Sequence, residues 1–191
     1  MPNIHVILGS TRQGRSGEKV ARWFMAHARA RSDLDVELVD LRDWPLPFFD
    51  QQVPPMMGGY SDAAQQRWAA QVARADGYVL VTPEYNHGYP AVLKNALDHL
   101  FSEWNGKPVA FVGYGGPGGG LRAVEQLRQV VVELEMVPMR QQVAIAGVYA
   151  AFDQDGRLAD REQHDRQAGA VLDELAGWTA RLAGTQAALS A

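Results

Sequence analysis

The sequence predicts an α/β fold: a parallel sheet with helices packed on both faces. Two observations predict it. Short β-branched runs alternate with amphipathic stretches along the chain, the pattern of βαβ crossovers. One run, Tyr78-Val79-Leu80-Val81, is apolar at every position, as a strand covered on both faces requires. An α+β arrangement is the alternative, and the regularity of the alternation weighs against it.

Taken in order, Ile4-His5-Val6-Ile7-Leu8 reads as the first strand and stops at Gly9. After a polar loop, Val20, Trp23, Phe24 and Ala28 recur at helical spacing behind a candidate N-cap, Ser16, with Glu18 in the first turn. Val36-Glu37-Leu38-Val39 is the second strand. From Leu41 to Tyr60 four prolines remove too many backbone donors for any periodic element. Its Phe48, Phe49, Met56 and Met57 suit either a subunit interface or the core.

A helix is expected over about Ser61 to Arg74, then the Tyr78–Val81 strand. Pro90 fits a first helical turn, followed by Val92, Leu93, Ala96, Leu97, Leu100 and Phe101 at helical spacing. Pro108 to Val112 is the fourth strand, Leu121 to Leu134 the next helix, and Val137 to Val148 carries a fifth strand interrupted at Pro138. The last helix is expected to bury Val171, Leu175, Trp178 and Leu182.

Composition narrows the function. The 191 residues, 47% hydrophobic and 21% charged, suit a single globular domain spanning 1–191. No apolar run approaches the roughly 20 residues of a membrane helix, and MPNIHVILGS lacks the basic and apolar regions of a signal peptide. The chain has no cysteine, which excludes disulfides, thiolate metal sites and a cysteine nucleophile and fits a cytoplasmic location. A net charge of −4 and a pI of about 5.7 give a nucleic-acid partner no bulk electrostatic support. The histidines show no metal-ligand spacing; His99 suits a surface or subunit contact, and His5 looks incidental.

In open parallel sheets, ligands bind beyond the carboxyl ends of the strands. Three strand-ending loops stand out there. Gly9 to Gly17 precedes a helix N-terminus, whose unpaired N–H groups and partial positive charge suit a phosphate. Ser10, Thr11, Arg12 and Arg15 add donors. A solvated turn is the bland alternative. Gly9 to Ser16 also falls one residue short of a phosphate-binding loop of nucleotide hydrolases, with Arg15 in the lysine position and Asp40 as the only proposable Mg²⁺ carboxylate. Gly113-x-Gly115-x-x-Gly118 matches a dinucleotide fingerprint, but no acid ends the following strand. That loop, nearly free of side chains, suits backbone contact with a flat ligand. Thr82-Pro83-Glu84-Tyr85-Asn86 offers a rigid start, an aromatic ring and an amide for a planar ring with a polar edge.

Together GSTRQGRSGEKVARW, VTPEYNHGYPAVLKNALDHL and GKPVAFVGYGGPGGGLRAVEQLR resemble the NADPH-dependent FMN reductase family, which includes azoreductases and quinone or chromate reductases. The resemblance implies a flavodoxin-like three-layer sandwich with a five-stranded parallel sheet in the order 2-1-3-4-5 and FMN at the switch point. It carries phosphate contacts to Ser10, Arg12, Arg15 and Ser16, with Gln13 nearby. Ring contacts fall on Pro83, Glu84, Tyr85 and Asn86, and the ring-binding glycines on Gly115, Gly116 and Gly118. Many relatives have Ser where this chain has Gly113 or Tyr114.

The resemblance also implies hydride transfer from NADPH or NADH through FMN to a flavin, quinone or azo acceptor, in a homodimer or homotetramer. Backbone N–H groups of Gly115 and Gly116 are the candidates for stabilising negative charge on the ring. No side chain is assigned as catalytic; Glu84 is expected to contact the ring through its backbone and to make a loop or subunit contact through its side chain. The alternatives are a flavodoxin-type electron carrier, which holds FMN without using nicotinamide, and the nucleotide hydrolase.

Overall fold

A computed structural model describes residues 1–189, with side chains through 183. Its sheet consists of β1 (Asn3–Leu8), β2 (Asp35–Asp40), β3 (Gly77–Pro83), β4 (Pro108–Tyr114) and β5 (Val137–Ile145). All neighbours run parallel, in the order β2-β1-β3-β4-β5, as the resemblance implies. The strand order reverses direction beside β1, so the carboxyl ends of β1 and β3 flank the crevice where ligands settle.

The described helices are α1 (Gly17–Arg29), α2 (Ala63–Ala73), α3 (Ala91–Asp98), α4 (Leu121–Glu133), α5 (Val148–Ala151) and α6 (Arg161–Leu189). One core packs α1 and α6 against one sheet face through Val20, Phe24, Val171 and Leu175. The other packs α2, α3 and α4 against the opposite face through Trp68, Leu93, Leu97 and Leu127. Every residue of β3 and β4 is buried, which explains their unbroken apolar runs. Each large side chain buried there contributes roughly 1.5–3 kcal/mol.

Several details depart from expectation for local reasons. Ser16 is the N-cap of α1 by position, but it is helical in backbone and its side chain caps nothing. Pro90 precedes the first turn of α3 as its N-cap. The 41–60 loop holds two single 3-10 turns, Leu41–Asp43 and Pro55–Met57. β5 ends at Ile145, and α5, one turn long, was not expected. Pro138 sits on this edge strand, where a missing donor is tolerated, and the pairing of β4 with β5 shifts register between Val109 and Phe111. Val171 and Leu175 are buried as expected, whereas Trp178 and Leu182 are only half-buried.

His99 overturns its surface assignment. It is 1% exposed, caps the C-terminus of α3, and its Nε2 lies 2.9 Å from the Pro47 carbonyl. Asn95 donates to the same carbonyl at 2.8 Å and accepts from the Phe49 N–H at 3.0 Å. These bonds pin the first half of the Pro-rich loop to α3. Beyond the pins, Phe48, Met56 and Met57 stay exposed, which removes the core reading for those three. His5 is also buried, and desolvation lowers its pKa against the pull of Glu37. Among the described residues no helix is long and apolar enough to cross a membrane.

Candidate functional site

The crevice beyond β1, β3 and β4 gathers residues from all three predicted loops. Arg12, Arg15, Ser16, Pro83, Glu84, Tyr85, Gly115 and Gly116 line one cavity, together with Tyr114, Val148 and Tyr149. Ser10 adjoins it, its hydroxyl 2.8 Å from that of Tyr85. Gln13, Asn86 and Gly118 do not line this cavity. The enclosed volume is about 60 Å³, far below the roughly 300–1,000 Å³ of pockets that engulf a ligand. A large flat ligand does not fit inside a cavity of that size. A larger cavity of about 630 Å³ lies between α1 and β2, behind the wall formed by Arg15 and Asp40.

That wall revises the role of Arg15. Its guanidinium is almost fully buried and faces Asp40, the last residue of β2. It donates to Asp40 through both terminal nitrogens, at 2.8 Å to Oδ1, to the Ser10 carbonyl, and through Nε to Glu18 at 3.2 Å. The parallel pairing of β1 and β2 sets Leu8 opposite Asp40 and so brings the partners together. Burial alone raises the carboxyl pKa of Asp40, yet the bonds from Arg15 and the Arg42 N–H, with both cations' charge, outweigh it and hold the group below its ordinary value. Asp40 is thus committed to an arginine rather than open to Mg²⁺, and the lysine position of the hydrolase motif is occupied by that same arginine. The hydrolase reading loses both of its required groups.

Arg42 is a residue that sequence reasoning missed. It donates to the carbonyls of Thr11 and Arg12, at 3.4 and 2.6 Å, and to Glu18 at 2.6 Å. With Arg15 it occupies three successive carbonyl oxygens of the β1–α1 loop, acceptors that would otherwise repel an anion. The Arg12 guanidinium itself makes no hydrogen bond or ion pair among the described residues, and it is exposed at the mouth.

Tyr114 leaves a polar group unsatisfied at the same end. Its side chain is buried, and its hydroxyl lies near Ser10 but has no partner with hydrogen-bond geometry. Buried hydroxyls in native proteins are nearly always paired. Burial, then the neighbouring Tyr85, push the phenol's pKa upward. Gly17 makes room for it, since a Cβ there would stand 2.3 Å from the hydroxyl oxygen. The orphan thus sits at the N-terminus of α1, where first-turn N–H groups lack helical partners and no side chain caps them. A phosphate group answers all of these needs.

The other two loops are braced against each other. Glu84 donates its N–H to the Tyr114 carbonyl at 3.0 Å, and its carboxylate accepts from Arg122 Nε at 2.6 Å, so its side chain makes a loop contact. Tyr85 and Gly88 exchange backbone hydrogen bonds at 2.8 and 2.9 Å around Asn86 and His87, both with positive φ. Gly115 differs from its expected role: its N–H donates to the Ile145 carbonyl at 3.1 Å and is not free for a ring. The carbonyls of Gly115 and Gly116 accept from Val148 and Gly147, each at 2.9 Å. These bonds bring Tyr149, 80% exposed, to the rim. The rule that ligands settle beyond strand ends also covers the end of β5, and that was the available signal for Tyr149.

The model of the family described as NADPH-dependent FMN reductase matches residues 2–150. The chain belongs to this family. It is 47% identical over 137 residues to an NAD(P)H-dependent FMN reductase of Schizosaccharomyces pombe, covering 71% of this chain and 68% of that protein. It is 34% identical over 186 residues to a quinone reductase of Pseudomonas putida, covering 92% and 94%. Among solved structures, the flavoenzyme NAD(P)H:(acceptor) oxidoreductase FerB of Paracoccus denitrificans superposes with a TM-score of 0.74 at 24% identity, over 95% of this chain and 98% of that one. As a member of the family the chain is an oxidoreductase with FMN and NAD(P)H as its cofactors, on a flavodoxin-like fold.

Proposed function

We propose that this reductase holds FMN with its phosphate at the α1 N-terminus and its ring across the open mouth, and reduces small planar acceptors of the flavin, quinone or azo type. The observation that carries the reading is the orphaned Tyr114 hydroxyl beside the unpaired Arg12 guanidinium at an uncapped helix end. FMN, when bound, supplies the chemistry: it takes hydride from a nicotinamide and passes it to the acceptor.

The chain's own groups do the rest. Arg12, the α1 N–H groups and Tyr114 neutralise and orient the phosphate, while Arg15 and Arg42 keep loop carbonyls turned away from it. Tyr85, fixed through Ser10, sets the place of the ring. The Gly116 N–H is the remaining backbone donor for negative charge at the ring's polar edge, now without Gly115. Because the mouth is open, nicotinamide and acceptor use one face in turn. The open mouth and the exposed Phe48, Met56 and Met57 support a homodimer or homotetramer in which a second copy covers part of the ring.

The test is reconstitution with FMN, followed by anaerobic addition of NADPH or NADH and then of a quinone. Flavin absorption that bleaches with nicotinamide and returns with quinone is expected. A folded chain that stays colourless overturns the reading. A coloured chain that nicotinamide does not bleach is an electron carrier instead.

A further inference from the structure

The Glu84 carboxylate poses a problem that the proposed function does not solve. Its side chain is only 7% exposed, and it packs against the glycine loop: a Cβ on Gly118 would lie 3.2 Å from Glu84 Oε2, and one on Gly115 3.3 Å from Glu84 Cβ. A buried carboxylate beside a slot where a ligand must gain negative charge opposes that gain.

The counter-charge comes from α4. Arg122 meets Glu84 Oε1 through Nε at 2.6 Å and through a terminal guanidinium nitrogen, while its backbone N–H reaches Oε2 at 3.3 Å. The N-cap position of α4 is Gly120, which has no side chain to offer; its φ is 86°, and a Cβ there would stand 2.5 Å from the Tyr114 nitrogen. Glu84 therefore caps α4 from a loop 38 residues earlier in the chain. The pair locks the β3–α3 loop to the β4–α4 loop, the two sides of the ring slot.

We propose that Arg122 is a positioning residue of the reductase, one that acts through Glu84: it cancels the buried charge beside the ring and fixes the width of the slot. The proposal rests on the FMN reading of this slot. Arg122 need not touch the ring. Its guanidinium is 43% exposed, so the part of the pair that is sensitive to loss is the carboxylate left behind.

The experiment compares the wild type with R122A, R122K, R122Q and the double variant E84Q/R122Q. It reads FMN affinity by fluorescence titration at pH 8, and the midpoint potential of bound FMN. R122A and R122Q are expected to bind FMN about tenfold more weakly at pH 8, with a more negative potential. R122K restores most of the affinity, and E84Q/R122Q returns the potential toward wild type.

A purely structural role for Arg122 does not move the potential, and removing Glu84 as well does not restore it. An unchanged potential in R122A overturns the proposal; if R122A does not fold, an R122Q potential equal to that of the wild type, or one that E84Q/R122Q does not restore, overturns it. A wild-type chain that takes up no FMN ends the FMN reading as well, so the two failures are distinguishable.

Discussion

The two ends of the sheet each carry a buried tyrosine, and they treat its hydroxyl in opposite ways. At the amino end, Tyr78 donates to the Val72 carbonyl at 2.8 Å, lies 3.2 Å from the Glu103 carbonyl and receives Lys107 Nζ at 3.3 Å. At the carboxyl end, Tyr114 has no partner. The cations follow suit: Lys107 is drawn into the protein and its pKa is pushed down to about 8, by burial against the pull of Asp76 and Glu103, whereas Arg12 stands free. The amino end satisfies Tyr78 and Lys107 internally, although Nδ1 of His99 at the C-terminus of α3 has no partner. The carboxyl end keeps Arg12 and the uncapped α1 N–H groups in reserve, and these together mark a ligand site.

The carboxyl end also holds internally satisfied pairs, Glu84–Arg122 and Arg15–Asp40, and breaking the second gives the largest expected effect. Asp40→Ala leaves Arg15 buried without its counter-charge, at a cost of about 3 kcal/mol, or a Tm roughly 6–12 °C lower by thermal unfolding. The pH dependence has a definite sign. A carboxyl group held below its unfolded value of about 3.9 adds stability above that pH and loses it as pH falls through the folded value. The wild type therefore weakens relative to Asp40→Ala on acidification below about pH 4. A Tm unchanged at neutral pH would show that this pair is not structural.

Next in size is the comparison of free and engaged donors. Arg12→Ala removes a charge-assisted contact and is expected to weaken FMN about 10–100-fold with the Tm unchanged. Tyr114→Phe weakens FMN about 2–10-fold and leaves the apo-protein's Tm unaltered, while Tyr78→Phe costs about 1 kcal/mol of stability and leaves FMN affinity alone. Equal Tm losses in the two tyrosine variants would erase the difference between the ends.

How much of this was legible in the sequence depends on the range of the interaction. The strand runs, the three glycine-bearing loops and their place at strand ends follow from local pattern, and Pro83 to Tyr85 and Arg12 line one cavity. The pairing of Arg15 could not be read, because its partner Asp40 lies 25 residues away and meets it only through the β1–β2 register. Gly115 was equally opaque: whether an N–H is free depends on which carbonyl the neighbouring strand presents, here that of Ile145. His99 showed the reverse error, since an apparently exposed helix end is covered by a proline-rich loop with no periodicity to reveal its path.

The smallest expected effect concerns the one brace of the site that is itself under strain. Asn86 and His87 have φ of 50° and 66° inside a turn closed by two hydrogen bonds between Tyr85 and Gly88. Two-residue turns of this kind favour Asn followed by Gly, because left-handed backbone costs a side-chain-bearing residue about 1 kcal/mol. Asn86 is the residue such turns prefer; His87 is not. The turn is held closed from outside, where Gln126 donates to the His87 carbonyl at 2.9 Å. His87→Gly is therefore expected to raise stability by about 0.5–1 kcal/mol, a shift of roughly 1–4 °C in Tm, with FMN affinity unchanged because Tyr85 keeps its place. A lower Tm would mean that the His87 side chain contributes more than its backbone costs.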